Sequence, residues 1–151
     1  MWKLKNYHLG FDFHALLLFL TIMLPNLLWL LIPAPKDILR QGTVTPRLDF
    51  VSSVVQSFMV GFMCVLINRA GYSYLEQKSM IGICFSVFFY LFGWISYYVG
   101  LVTPVVIVIL CLAPCASCLF YTWGRKNGPA FILTALFTVL HTIRGILNYT
   151  V

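Results

Sequence analysis

Charge is what this sequence has least of. Four of its 151 residues are Asp or Glu and ten are Lys or Arg, 9% in all, against roughly 25% in an ordinary soluble domain. No carboxylate falls near the middle of a hydrophobic run, which leaves little for general acid–base or two-metal chemistry. H-E-x-x-H, a P-loop and G-x-S-x-G are all missing. No catalytic residue is assigned, and an enzyme would have to work through His141. The five cysteines all lie inside hydrophobic runs, so no disulfide framework follows and thiols at that depth act as small packing residues. Cys111, Cys115 and Cys118 have an iron–sulfur-like spacing, but a cluster needs a loop to wrap it. Theirs is an apolar span interrupted only by Pro114, so packing is the favoured reading and no metal site is assigned.

Apolar residues fill the space that charge leaves. They make up 61% of the chain, and the mean hydropathy is +0.92. A helix needs about 20 apolar residues to cross roughly 30 Å of hydrocarbon. Five such runs are present, at about 13–32, 48–67, 80–98, 103–123 and 129–148. The fold class expected is therefore an all-α integral membrane protein, one transmembrane domain over 1–151 built as a bundle of about five helices. The first run is too long for a signal-peptide core, and Pro-Ala-Pro at 33–35 makes a poor cleavage site, so it reads as a retained helix. Proline at 33 and 35 ends it, and 33–47 is the longest polar connection. The link between the third and fourth runs is so short that these two must form an antiparallel hairpin.

The basic residues sit between the spans, where they read as orientation signals and headgroup contacts, not as a nucleic-acid surface. Lys3, Lys5, Arg69, Lys78, Arg125 and Lys126 fall on one side of the membrane, and Lys36, Arg40, Arg47 and Arg144 on the other. Six against four places the N-terminus in the cytoplasm and the C-terminus outside, across a plasma or inner membrane. Tyr72, Tyr74, Trp123 and the pair Tyr97 and Tyr98 fit interfacial aromatic belts.

In lipid, helices meet where small residues let backbones approach. Three stripes of this kind are expected to face the interior. One is Ser53, Ser57 and Gly61 in the second span. The next is Gly82, Ser86, Gly93 and Gly100 in and after the third, and the last is Thr134, Thr138, His141, Gly145 and Asn148 in the fifth.

Ionisable and polar groups inside spans are the candidate sites. Pro25 deprives the Thr21 carbonyl of its helical donor, and Asn26 is placed to compensate or to line a ligand cavity. His141 and Arg144 share one side of the fifth span; Asp49 and Gln56 share one face of the second. Asp49 could pair with Arg40, Arg47 or Arg144. These five residues are the candidate ligand-binding set. Lys36, Arg40 and Arg47, with Asp37 and Asp49 as the nearby counterweights, form a second candidate set for an anion or lipid headgroup. Asp12 and His14 sit at the start of the first helix, where a negative charge is favourable.

The Trp-Pro-rich pattern of the five-helix translocator-protein family is missing, and no resemblance to a characterised family is drawn. The expected function is binding: a transport or channel component, or a membrane subunit of a larger complex. The alternatives are a lipid- or cofactor-binding protein with an intramembrane pocket, and a small membrane enzyme. The bilayer is the one certain partner; a homo-oligomer or another membrane subunit is expected, and no cofactor can be read from the residues.

Overall fold

A computed structural model describes residues 6–72 and 75–149. Among them, five helices are long and apolar enough to cross a membrane: α1 (Phe13–Leu31), α2 (Pro46–Val65), α4 (Gln77–Tyr98), α5 (Pro104–Gly124) and α6 (Gly128–Tyr149). The chain is a multi-pass helical membrane bundle. Between α2 and α4 lies the single turn α3 (Arg69–Tyr72). Lys3, Lys5 and Tyr74, used above for orientation and the aromatic belt, lie outside the described residues, as does the side chain of Tyr72.

Four of the five spanning helices start where local chemistry supplies an end. Asp12 caps α1, its Oδ1 accepting from the amides of His14 and Ala15. Proline occupies the first turn of α2 and α5, where its missing donor costs nothing, and Thr103 caps α5 with its hydroxyl. Asn127 opens α6 by accepting from the Ala130 amide.

One element has no counterpart in the hydropathy pattern. Residues Tyr7–Leu9 form strand β1, which pairs antiparallel with β2 (Leu66–Asn68). The second span therefore ends as a helix at Val65, short of the expected 67, and its last residues turn into a strand beside the N-terminal segment. Two three-residue strands carry too short an alternation to be legible.

Helices α4, α5, α6 and α2 pack in that order as a row, with α4–α5 and α5–α6 the closest pairs. The α4–α5 hairpin is tight because Gly93 leaves room for α5: a Cβ there would stand 3.1 Å from Ile109 and 3.2 Å from Leu110. At α5–α6, a Cβ on Gly145 would collide with the Cys111 sulfur. Helix α1 approaches α2, α4 and α5 only loosely. The third-span stripe thus faces the interior at Ser86 and Gly93, while Gly100 lies past the helix in a turn with φ of 89°. The fifth-span stripe also points inward, with Thr134 and Gly145 buried.

The second-span stripe does not. Ser53, Ser57 and Gly61 are exposed on the outer face of α2, and its buried face carries Ser52, Met59, Met63 and Cys64. The hydroxyls of Ser53 and Ser57 need no neighbouring helix, because they donate to the carbonyls of Asp49 and Ser53 one turn back. Tyr97 likewise leaves the proposed aromatic belt: it is fully buried, whereas Trp123 is 55% exposed.

Candidate functional site

Two polar regions stand at opposite ends of the bundle, with a cavity between them. At the end that carries the sheet, Asp12 and Arg125 form an ion pair, with Arg125 Nε 3.4 Å from Asp12 Oδ2; both are buried. The same Nε donates to the Tyr121 hydroxyl at 3.1 Å. Around the pair, Asn127 Nδ2 donates to the carbonyls of Phe62 and Leu66, and Asn68 Nδ2 donates to the Lys126 carbonyl. The Tyr7 hydroxyl donates to that same carbonyl and accepts from the Gly128 amide. Sheet, α1 start and α5–α6 turn are thereby tied together. Lys126 holds a φ of 53°, uncommon for a side chain with a Cβ, and the two donors on its carbonyl stabilise it there.

At the opposite end, Asp37 is a hub. Its carboxylate accepts from Trp29 Nε1 at 2.9 Å, from the Tyr97 hydroxyl at 2.9 Å and from Arg40 Nε at 2.8 Å. Arg40 also donates to the carbonyls of Trp29 and Leu30, which a helix end leaves without partners, and its guanidinium stacks over the Trp29 ring. The Leu39 amide donates to Tyr97, and the Tyr98 hydroxyl to the Ile32 carbonyl. Burial pushes the Asp37 carboxyl up, but the hydrogen bonds from Trp29, Tyr97, Ala34 and Arg40 outweigh it and hold its pKa below the ordinary 3.8. The connection between α1 and α2 is thus folded down onto the bundle. All three residues expected to form a basic headgroup surface, Lys36, Arg40 and Arg47, are exposed, and Arg40 is in addition bonded to Asp37 and to the end of α1.

Beneath this connection lies the cavity. One chamber of about 130 Å³ reaches up to Trp29, Leu39 and Tyr149. A second, of about 270 Å³, extends toward mid-bundle between Phe19, Met23, Gln56, Met59 and Phe137. Asn26, Tyr90, Leu110, His141 and Arg144 line both. All five candidate ligand-binding residues are therefore accounted for: Asn26, His141 and Arg144 at the junction, Gln56 in the deeper chamber, and Asp49 outside it.

Asp49 reaches the junction through Arg144, with Asp49 Oδ1 3.0 Å from Arg144 Nε. That ion pair is the one the structure forms among the three expected for Asp49. Asn26 donates to the Tyr90 hydroxyl at 2.8 Å and to the Ile22 carbonyl at 3.1 Å, and Tyr90 donates to the same carbonyl at 2.9 Å. The carbonyl that Asn26 serves is thus Ile22's, not that of Thr21 freed by Pro25. Side-chain amides reach four residues back, and the residue four before Asn26 is Ile22. His141 stacks on Phe137, ring centroids 5.0 Å apart, and its Nδ1 is buried with no hydrogen-bond partner.

Tyr90 and Trp29 are the residues sequence reasoning passed over, and Asp37 entered it only as a counterweight to the basic set. Tyr90 carried one available signal, an ionisable hydroxyl at mid-span. Among the described residues no three His, Cys, Asp or Glu side chains come together to hold a metal ion, and the five cysteines are free thiols. Comparison with protein-family models, with curated proteins and with solved structures finds no match.

Proposed function

We propose that the protein binds a small ligand inside the membrane, in the two-chamber cavity between its five helices. The observation that carries this reading is the polar junction itself. Asn26, Tyr90, His141 and Arg144, carried by three different helices, converge on one space whose other walls are mostly apolar. Small-molecule sites combine an apolar wall with a few convergent polar groups, as here. Binding is also the first step of the transport and subunit readings, so the proposal is their common part.

Native mass spectrometry of protein extracted in mild detergent tests it. A bound small molecule is expected on the wild type, and its loss is expected in Met59→Trp, which fills the deeper chamber. A bare wild-type protein whose melting temperature also ignores added lipid extract would sink the reading.

The distribution of Lys and Arg supports an N-terminus in the cytoplasm and a C-terminus outside, in a plasma or inner membrane. A reporter fused after Val151 and active only in the cytoplasm should then be silent. The outward line Ser53, Ser57 and Gly61 supports a second reading, in which α2 packs against a second copy of the chain, because small residues at this spacing let helices approach in lipid. The same mass spectrum would show a dimer, and Gly61→Leu should return it to monomer.

A further inference from the structure

We propose that the cavity takes a single-chain acidic amphiphile, with its anionic head on Arg144 and His141 and its apolar chain in the deeper chamber. This rests on the ligand-binding reading above and adds the class of ligand.

The first support is the hydrogen-bond inventory. A guanidinium offers five N–H donors. Arg144 Nε stands 3.0 Å from Asp49 Oδ1 as an ion pair without hydrogen-bond alignment, and Arg144 makes no hydrogen bond with any described residue, although it lines both chambers. His141 lies one turn away on the same helix face and also lines both chambers. An oxygen-rich group at the junction would meet both, and charge-assisted bonds to a carboxylate or phosphate are stronger than those to a neutral acceptor.

Charge is the second support. Asp12 and Glu76 lie at the sheet end, so only Asp37 and Asp49 face the four basic residues of the other end. Those two carboxylates are already paired, with Arg40 and Arg144. Lys36 and Arg47 are exposed and have no acidic partner among the described residues. The end of the bundle above the cavity therefore attracts anions and repels cations.

The third is the shape of the deeper chamber. Its walls include Phe19, Ile22, Met23, Met59, Leu110 and Phe137, and Arg144, at its rim, is the one lining residue with a formal charge. At about 270 Å³ it holds one apolar chain and not the paired chains of a phospholipid.

The test is calorimetric titration of the full chain in zwitterionic nanodiscs at pH 7 with decanoate, decanol and acetate, read as saturable one-to-one binding above empty nanodiscs. Decanoate is expected to bind at least about tenfold tighter than decanol, and acetate not measurably. Asp49→Asn with Arg144→Gln removes the ion pair without leaving a lone charge, and should lower decanoate to the level of decanol while decanol is unchanged. A wild type that binds both equally would overturn the acidic head and leave cavity binding standing. Acetate binding as tightly as decanoate would make this a free-anion site and overturn the amphiphile. A decanoate preference that survives in the double variant would overturn the placement on Arg144. Failure of both decanoate and decanol to bind would overturn the ligand-binding reading as well. The wild-type comparison needs no variant to fold.

Discussion

The polar groups at the sheet end and those around the cavity are built from similar residues but are used in opposite ways. At the sheet end, Asp12, Asn68, Arg125 and Asn127 are buried and each is held by a segment far away in the chain. Around the cavity, Asn26 and Tyr90 close on each other and on one carbonyl, while His141 Nδ1 has no partner and Arg144 keeps donors beyond its one ion pair. Satisfied buried networks stabilise and specify a fold, and unsatisfied ones cost stability unless something else completes them. Polarity inside a membrane bundle is therefore not in itself the mark of a site: at the sheet end it ties segments together, and around the cavity it faces an open space.

The sharpest way to break this contrast is at the ion pair. Asp12→Ala leaves Arg125 without its carboxylate and removes the α1 cap, and should cost about 3–5 kcal/mol, read as a large drop in melting temperature in detergent. An unchanged melting temperature would mean that Arg125 is already solvated and the sheet end is not the structural anchor. Next in size is Gly93→Leu, which drives a side chain into Ile109 and Leu110 and should cost about 1–3 kcal/mol by overpacking. If it costs nothing, α4 and α5 do not hold the cavity wall in place.

Tyr90→Phe removes the hydrogen bond it accepts from Asn26 and the one it donates to the Ile22 carbonyl, and should cost about 2 kcal/mol, the ordinary worth of two. The smallest effect on folding is expected for His141→Phe. An unpaired ring is exchanged for an apolar one of similar size, so the melting temperature should hold or rise slightly, while retention of the bound small molecule in the mass spectrum is lost. A large destabilisation would place His141 with the structural groups and dissolve the contrast.

The connection above the cavity has its own pH signature. Asp37 titrates below its ordinary value, so its contribution is fully present above the unfolded value of 3.8 and is lost as pH falls through the lowered folded value. In a variant retaining Trp29 as its one tryptophan, emission should therefore change with a midpoint below 3.8. Asp37→Asn should show no such transition. A midpoint above that value would mean that the hydrogen bonds from Trp29 and Tyr97 do not hold the carboxylate.

Five spans were legible because crossing a bilayer demands length and apolarity from each segment separately, and both are local properties. The site was legible in its residues but not in its arrangement. Asn26, Gln56, His141 and Arg144 stood out because polar groups inside a span are expensive. Tyr90 did not, since a tyrosine in an aromatic-rich span looks like packing until its hydroxyl is seen against the Ile22 carbonyl. Asp37 looked like a counterweight in a solvated loop, and only its contacts with Trp29 and Tyr97 make it a hub. The stripe on α2 was misread for a related reason: small residues four apart say that a backbone can approach, not that one does.

By itself the sequence determined the number of membrane-spanning helices, where proline begins or ends several of them, and which spans carry groups that must be answered for in lipid. The tertiary structure alone decided which of those groups answer one another. Hydrogen bonds between Asn26 and Tyr90, Asp37 and Tyr97, or Asn127 and Phe62 join residues 60 to 65 positions apart. Such partners are chosen by how the row of α4, α5, α6 and α2 packs and by how far α1 stands from it. No local pattern carries that information, because the energy of a buried polar group depends on what lies opposite it.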